Sequence, residues 1–369
     1  VATAIKTGGP GALFWMWIAA FFGMATKYAE GLLAIKFRTL DDQGNVSGGP
    51  MYYITHGFSG KWQIIAKPLA YFFAFAGVLV AWLGIGTFSQ VNSITSSLQN
   101  SFGWSPKIVS VILALITAAI IFGGIQSISK VSEKVVPFMA GLYIIAALIV
   151  IFANFNQLLP VLEMVFQSAF TGKAAVGGFA GATVMAAMRL GIARGVFSNE
   201  SGLGSAPIAA AAAKTEEPVE QGLISMTGTF IDTIIICTLT GLAILVTGQW
   251  SGSLEGAPMT QAAFSSIFGT FGELALTLSL VLFAFTTILG WSYYGERCFE
   301  FIFKSTKFLS FYRLIFVVMV ALGGYLTLEV VWKIADIVNG LMALPNLIAL
   351  LVLSPIILKE SKSYFERHK

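Results

Sequence analysis

The sequence is short of charge, histidine and cysteine, and each shortage removes a class of function. Only 11% of its 369 residues are charged, where a soluble domain carries about 25%. A chain that is 56% hydrophobic cannot cover a water-facing surface with so few charges, so its composition implies lipid as the solvent. The two histidines, His56 and His368, stand apart from any partner in the sequence, which argues against histidine-based metal sites and catalytic triads. The two cysteines, Cys237 and Cys298, sit in apolar surroundings and offer neither a disulfide framework nor a metal-ligand spacing. A GxxxxGK[ST] run is absent, so direct drive by ATP is not expected. Paired carboxylates and nucleophile–base pairs are missing from the apolar runs, and so is a filter-like repeat. The chain therefore reads as neither an enzyme nor a channel, and nothing in it calls for a nucleic-acid partner.

What the chain has in quantity is apolar length. At about 20 residues per crossing, it has room for roughly ten spans. Runs bounded by charge or by Pro and Gly predict crossings at 11–36, 68–98, 108–122, 136–152, 229–249, 274–294, 311–325 and 330–353. Val1 to Lys6 reads as the tail of a helix that begins upstream. The stretch 157–170 reads as amphipathic and interfacial, 252–268 as a short piece outside the core, and 295–307 as a charged turn. A polar tail occupies 355–369. If that tail is cytoplasmic and the spans alternate, 14 of the 22 Lys and Arg residues fall on its side, among them Lys36, Arg38, Lys130 and Lys369. Only Lys107 and Lys173 fall opposite, the bias expected of a cytoplasmic C-terminus in a plasma-membrane protein.

One segment, 177–214, departs from the pattern. Between weak apolar ends it carries Gly195, Ser198, Asn199, Glu200, Ser201, Gly202, Gly204, Ser205 and Pro207. A continuous lipid-facing helix would leave these polar groups unsatisfied at several kcal/mol each. A discontinuous helix lining a cavity would not, because unwound carbonyls can meet a cation and free N–H groups a carboxylate. A polar loop between two ordinary spans is the plainer alternative. Asp232, Arg189 and Arg194 also lie at or near membrane depth, where charges are usually paired or functional. They suggest a structural or gating pair in preference to a contact with substrate.

Four stretches closely resemble the alanine or glycine:cation symporter family: GGPGALFWMWIAAFFGMATKYAE near the start, GGPMYYI at 48–54, FSNESGLGSAPIAAAAAKT at 197–215 and FAFTTILGWSYYGERC at 283–298. The resemblance runs over essentially the whole chain. Two departures are visible: Ser201 stands where the family usually has Ala, and the glycine-rich GTGNIAG-like segment that precedes VATAI in the family is absent. The resemblance implies an all-α membrane protein with the LeuT-type fold. Within one transporter domain, 1–369, it implies two inverted five-helix repeats, the remainder of the first at 1–154 and the second at 177–354, with a discontinuous sixth core helix. It implies sodium-coupled import of small neutral amino acids by alternating access, with Na+ as coupling ion and no other cofactor. A proton-coupled permease of the same fold, with Glu200 or Asp232 as carrier, is the alternative. The implied substrate contacts are Gln90, Gly195, Phe197, Ser198 and Asn199, the last four through the helix break, with Phe197 limiting side-chain size. The implied sodium ligands are the Phe283 carbonyl and the hydroxyls of Thr286 and Thr287. On the residues alone, Gln90 serves equally as interhelical glue, Phe197 as packing, and the threonines as donors to their own helix.

Overall fold

A computed structural model describes residues 1–41, 44–123, 125–171 and 184–368, with the backbone alone over 125–132. The start of the second repeat at 177 lies outside these residues. So do Lys173 and Lys369 from the charge count, and the side chain of Lys130.

The described chain is almost wholly helical, as a lipid-facing backbone must be to satisfy its own N–H and C=O groups. A short helix α1, Ala2–Gly8, leads into α2, Gly11–Lys36. A two-residue antiparallel hairpin, Thr39–Leu40 with Val46–Ser47, then precedes α3, Pro50–Gly57. Next come α4, Gln63–Leu83, α5, Phe88–Phe102, α6, Pro106–Ile121, α7, Ile125–Ala153, and the amphipathic α8, Phe155–Thr171. The second half contains α9, Val184–Asn199, α10, Ala206–Ala210, and α11, Pro218–Thr229. Helix α11 runs through a π-helical stretch, Phe230–Cys237, into α12, Thr238–Val246. The series closes with α13, Ala257–Phe303, α14, Leu309–Leu322, and α15, Leu328–Arg367.

Among the described residues, seven helical stretches are long and apolar enough to cross a membrane, and Pro106–Ile121 is a shorter apolar helix. The chain is a multi-pass, all-α membrane protein.

The structure corrects four expected boundaries. The span at 68–98 is two helices, parted at 84–87, where Gly84 and Thr87 leave helical geometry. The crossing expected to begin at 229 begins at Pro218. The charged turn at 295–307 is helical as far as Phe303, because Arg297 is neutralised within the protein by Asp41 and Glu300 at 3.0 and 2.9 Å. The polar tail continues α15 to Arg367. The short piece at 252–268 and the span after it are parted at Gly269, whose φ of 59° bends α13.

Helix α2 lies against α9 and α11. A Cβ at Gly23 or Gly31 would come within 3.0 Å of Ser201 or Ser225, so these glycines set how closely the helices approach. Helix α13 serves two apolar cores. Its first part packs Met259, Phe264 and Leu276 with Leu13, Val165 and Ile244. Its last part packs Trp291, Cys298 and Phe299 with Phe73, Tyr312 and Met342.

Candidate functional site

The chain unwinds between α9 and α10, at 200–205. Gly202 and Gly204 both take φ 82°, and Glu200 takes φ 59°, a region that L side chains other than Asn and Asp rarely enter. A buried carboxylate holds this turn. Glu30 Oε1, from α2, accepts from the backbone N–H of Gly202 and Gly204 at 3.1 Å each, and from Asn346 Nδ2 at 2.6 Å. Asn346 Nδ2 also donates to the Gly202 carbonyl, and Asn346 Oδ1 accepts from the Tyr53 hydroxyl. Burial first, and the Glu30 carboxylate second, push the Tyr53 phenol well above its usual range, so it remains a donor. Glu200 is held from both sides, by Trp291 Nε1 at 3.1 Å and Ser205 Oγ at 2.7 Å.

The non-helical backbone therefore lies about one turn later than the sequence reading placed it. Gly195, Phe197, Ser198 and Asn199 are in α9, not in the break. Gly195 faces Met16 and Ala19 on α2. The Asn199 amide is occupied: Oδ1 accepts from Ser201 N at 2.9 Å, an Asx turn that takes the chain out of the helix, and Nδ2 donates to Thr233 Oγ1 at 3.0 Å.

Beside the end of α9 is a cavity of about 630 Å³. Gln90, Phe197, Ser198, Phe283 and Thr287 line it, whereas Gly195, Asn199 and Thr286 do not. It reaches the loops at 255–258 and 324–328. Gln90 Nε2 donates to the Ile85 carbonyl at 3.2 Å, across the break between α4 and α5. Thr287 Oγ1 donates to the Phe283 carbonyl at 2.9 Å, and Thr286 Oγ1 shares its proton between the carbonyls of Leu282 and Phe283 at 3.0 Å each. Three oxygens thus meet within one helical turn. Each hydroxyl keeps a lone pair, which gives part of the oxygen set a hard cation needs.

Asp232 also lines the cavity. The expected pairing of Asp232 with an arginine is not made. Arg194 instead forms a bidentate pair with Asp336 at 2.7 and 2.8 Å, and its guanidinium lies 4.0 Å over the Trp332 ring. Phe197 meets Trp332 with ring centroids 4.8 Å apart. Arg194, Phe197 and Trp332 form one side of the cavity wall. The sequence reading did not single out Glu30, Asn346, Asp336 or Trp332. A carboxylate in the apolar run KYAEGLLAIK was the signal available for Glu30.

A model of the sodium:alanine symporter family matches residues 1–369. An uncharacterized transporter of Haemophilus influenzae is 52% identical over 371 residues, covering 100% of this chain and 80% of that one. The sodium/alanine symporter AgcS of Methanococcus maripaludis is 49% identical over 375 residues, covering 100% of this chain and 80% of its own. The amino-acid carrier protein AlsT of Bacillus subtilis is 38% identical over 369 residues, covering 100% and 77%. With the family match spanning every residue and these relatives aligned along the whole of this chain, the chain belongs to the sodium:alanine symporter family.

Proposed function

We propose that this protein is a sodium-coupled symporter that carries small neutral amino acids, alanine and glycine among them, across the plasma membrane by alternating access. The observation that carries this reading is the cavity itself. It lies at the end of an interrupted helix, between carbonyl-bearing backbone and the hydroxyl pair of α13, within a membrane-spanning bundle. An interrupted helix at a mid-membrane cavity suits a zwitterion and a monovalent cation together. The order of elements, with the break in α9–α10 and the span α13 that follows, is what two inverted repeats at 1–154 and 177–354 with the LeuT-type fold would give. The charge bias supports a cytoplasmic C-terminus.

In this reading Phe283, Thr286 and Thr287 hold Na+ through their oxygens. Gln90, Phe197 and Ser198 meet the amino acid, and Phe197 against Trp332 limits side-chain size. Gly195 and Asn199 act behind the surface, Gly195 by letting α9 approach α2 and Asn199 by turning the chain out of the helix. The test is uptake of radiolabelled alanine into proteoliposomes with and without an inward Na+ gradient. Concentrative uptake should require Na+. Thr287→Val should raise the Na+ concentration for half-maximal uptake about tenfold, the scale of one lost hydrogen-bond-strength contact to a charge. Uptake driven by a pH gradient and indifferent to Na+ would replace this reading with the proton-coupled one, which Asp232 in the cavity wall favours.

A further inference from the structure

We propose that Asp232 is the counter-charge for the substrate's α-ammonium group, an assignment that rests on the amino-acid reading above. Three observations converge on it. First, the carboxylate lines the cavity and, among the described residues, no basic side chain reaches it within ion-pair distance. Arg194 is committed to Asp336, Lys27 is buried on α2, and Val1, which also lines the cavity, makes no ion pair with Asp232 through its amino group. An intramembrane carboxylate left in that state draws a cation to itself.

Second, its remaining surroundings are built to receive a positive charge. Ser198 Oγ donates to Asp232 Oδ1 at 3.0 Å and Thr233 Oγ1 to Oδ2 at 2.8 Å. These bonds fix the carboxylate and leave each oxygen a further lone pair to accept with. The C-terminal turn of α9 ends alongside. There Ser201 N–H is diverted to Asn199 Oδ1, and Gly202 N–H to Glu30 Oε1. The carbonyls of Phe197 and Ser198 therefore lose the partners that a continuing helix would have supplied, at the pole of the helix dipole that favours cations. Third, the position is tied to the break. Asn199 Nδ2 donates to Thr233 Oγ1, which donates to Asp232, so the unwound segment and the carboxylate are held in one hydrogen-bonded chain.

An ammonium suits this arrangement better than a bare metal ion. Thr233 Oγ1 already accepts from Asn199 Nδ2, which leaves it little to offer a metal ion that needs several oxygens around one centre. An ammonium instead donates three separate bonds, to carboxylate and carbonyl oxygens lying in different directions.

The experiment measures equilibrium binding of tritiated alanine at saturating Na+, and of radiolabelled sodium without alanine, to the purified full chain and two variants. Asp232→Asn should weaken alanine binding about 30-fold or more, the scale for removing one partner of a desolvated charge pair. Sodium binding should stay within about twofold, because its oxygens lie on α13. Asp232→Glu, which keeps the charge, should restore most of the alanine affinity and shows that the site is intact. Lactate, with a hydroxyl in place of the ammonium, should compete poorly with alanine on the wild type and relatively better on Asp232→Asn. Unchanged alanine affinity in Asp232→Asn overturns the assignment. So does loss of sodium binding without alanine, which would make Asp232 an ion ligand. So does wild-type alanine binding that tightens as the pH falls, which would make Asp232 a proton carrier. A wild type that binds no small amino acid removes the proposed function itself, and this assignment with it.

Discussion

Two arginines sit at different places in the fold and are held in different ways. Arg194, in the cavity wall, has one acidic partner, Asp336, whose side chain is 49% exposed. Arg297, far along α13, lies among Asp41, Glu296 and Glu300, and Glu296 in turn pairs with Arg313 at 2.8 Å. Asp41 and Glu300 are 2% and 8% exposed. A network of that kind fastens the hairpin at 39–47 and α14 to the end of α13. A single half-wet pair can be broken and remade at little cost. The difference separates two parts of the bundle: the region around Arg297 is held by a buried network, and the wall of the cavity by one pair.

The two buried thiols report on these regions separately. Cys298 follows Arg297 and lies against Gly77 in the core, while Cys237 borders the cavity. The largest effect is expected from Arg297→Ala, which strands several carboxylates out of water. It should destabilise the protein by about 3–5 kcal/mol, seen as a lowered midpoint of thermal unfolding, and should make Cys298 reactive to a small thiol reagent. If Cys298 stays protected, the network is not what closes that region.

Next comes Glu30→Gln. The amide oxygen can stand at the place of Oε1 and still accept from Gly202, Gly204 and Asn346, but its NH2 group puts a donor where Oε2 is buried without a hydrogen-bond partner. A cost of about 1–3 kcal/mol is expected, together with loss of alanine uptake if the turn at 200–205 must keep its shape. The smallest effect should come from Asp336→Asn. It should alter stability by no more than about 1 kcal/mol while increasing labelling of Cys237 from the loops at 255–258 and 324–328. A large drop in stability would mean that this pair is structural and that the two regions do not differ in kind.

Much of the bundle was legible in the sequence because length and hydropathy are local properties. The helix Gly11–Lys36 was read to the residue, and Gly202, Gly204 and Pro207 marked a break near its true place. What escaped was tertiary. The residues of Gly295–Phe303 look like a turn until Asp41, from a hairpin more than 200 positions away, removes the charge of Arg297. The break was read too early because what ends α9 at Asn199 is partly tertiary: Ser201 N–H turns to Asn199 Oδ1, and Gly202 N–H to Glu30 from another helix. In the cavity, single residues with an oxygen or an aromatic ring were visible as candidates. Which of them face one another was not, since Gln90, Ser198 and Thr287 come from helices that the sequence does not order in space.

The π-helical stretch at Phe230–Cys237 has a consequence for how this site could arise and be lost. A π turn is the mark left by an extra residue accommodated inside an α-helix. Each residue turns a helix by about 100°, so one added position redirects every side chain on one side of it relative to the other. The direction of Asp232 thus depends on the length of the chain as much as on its letters. Deleting one residue between Ile234 and Ile236 would keep every polar residue of the site in the sequence and turn the carboxylate away from the cavity, a change that no scan of substitutions would reproduce.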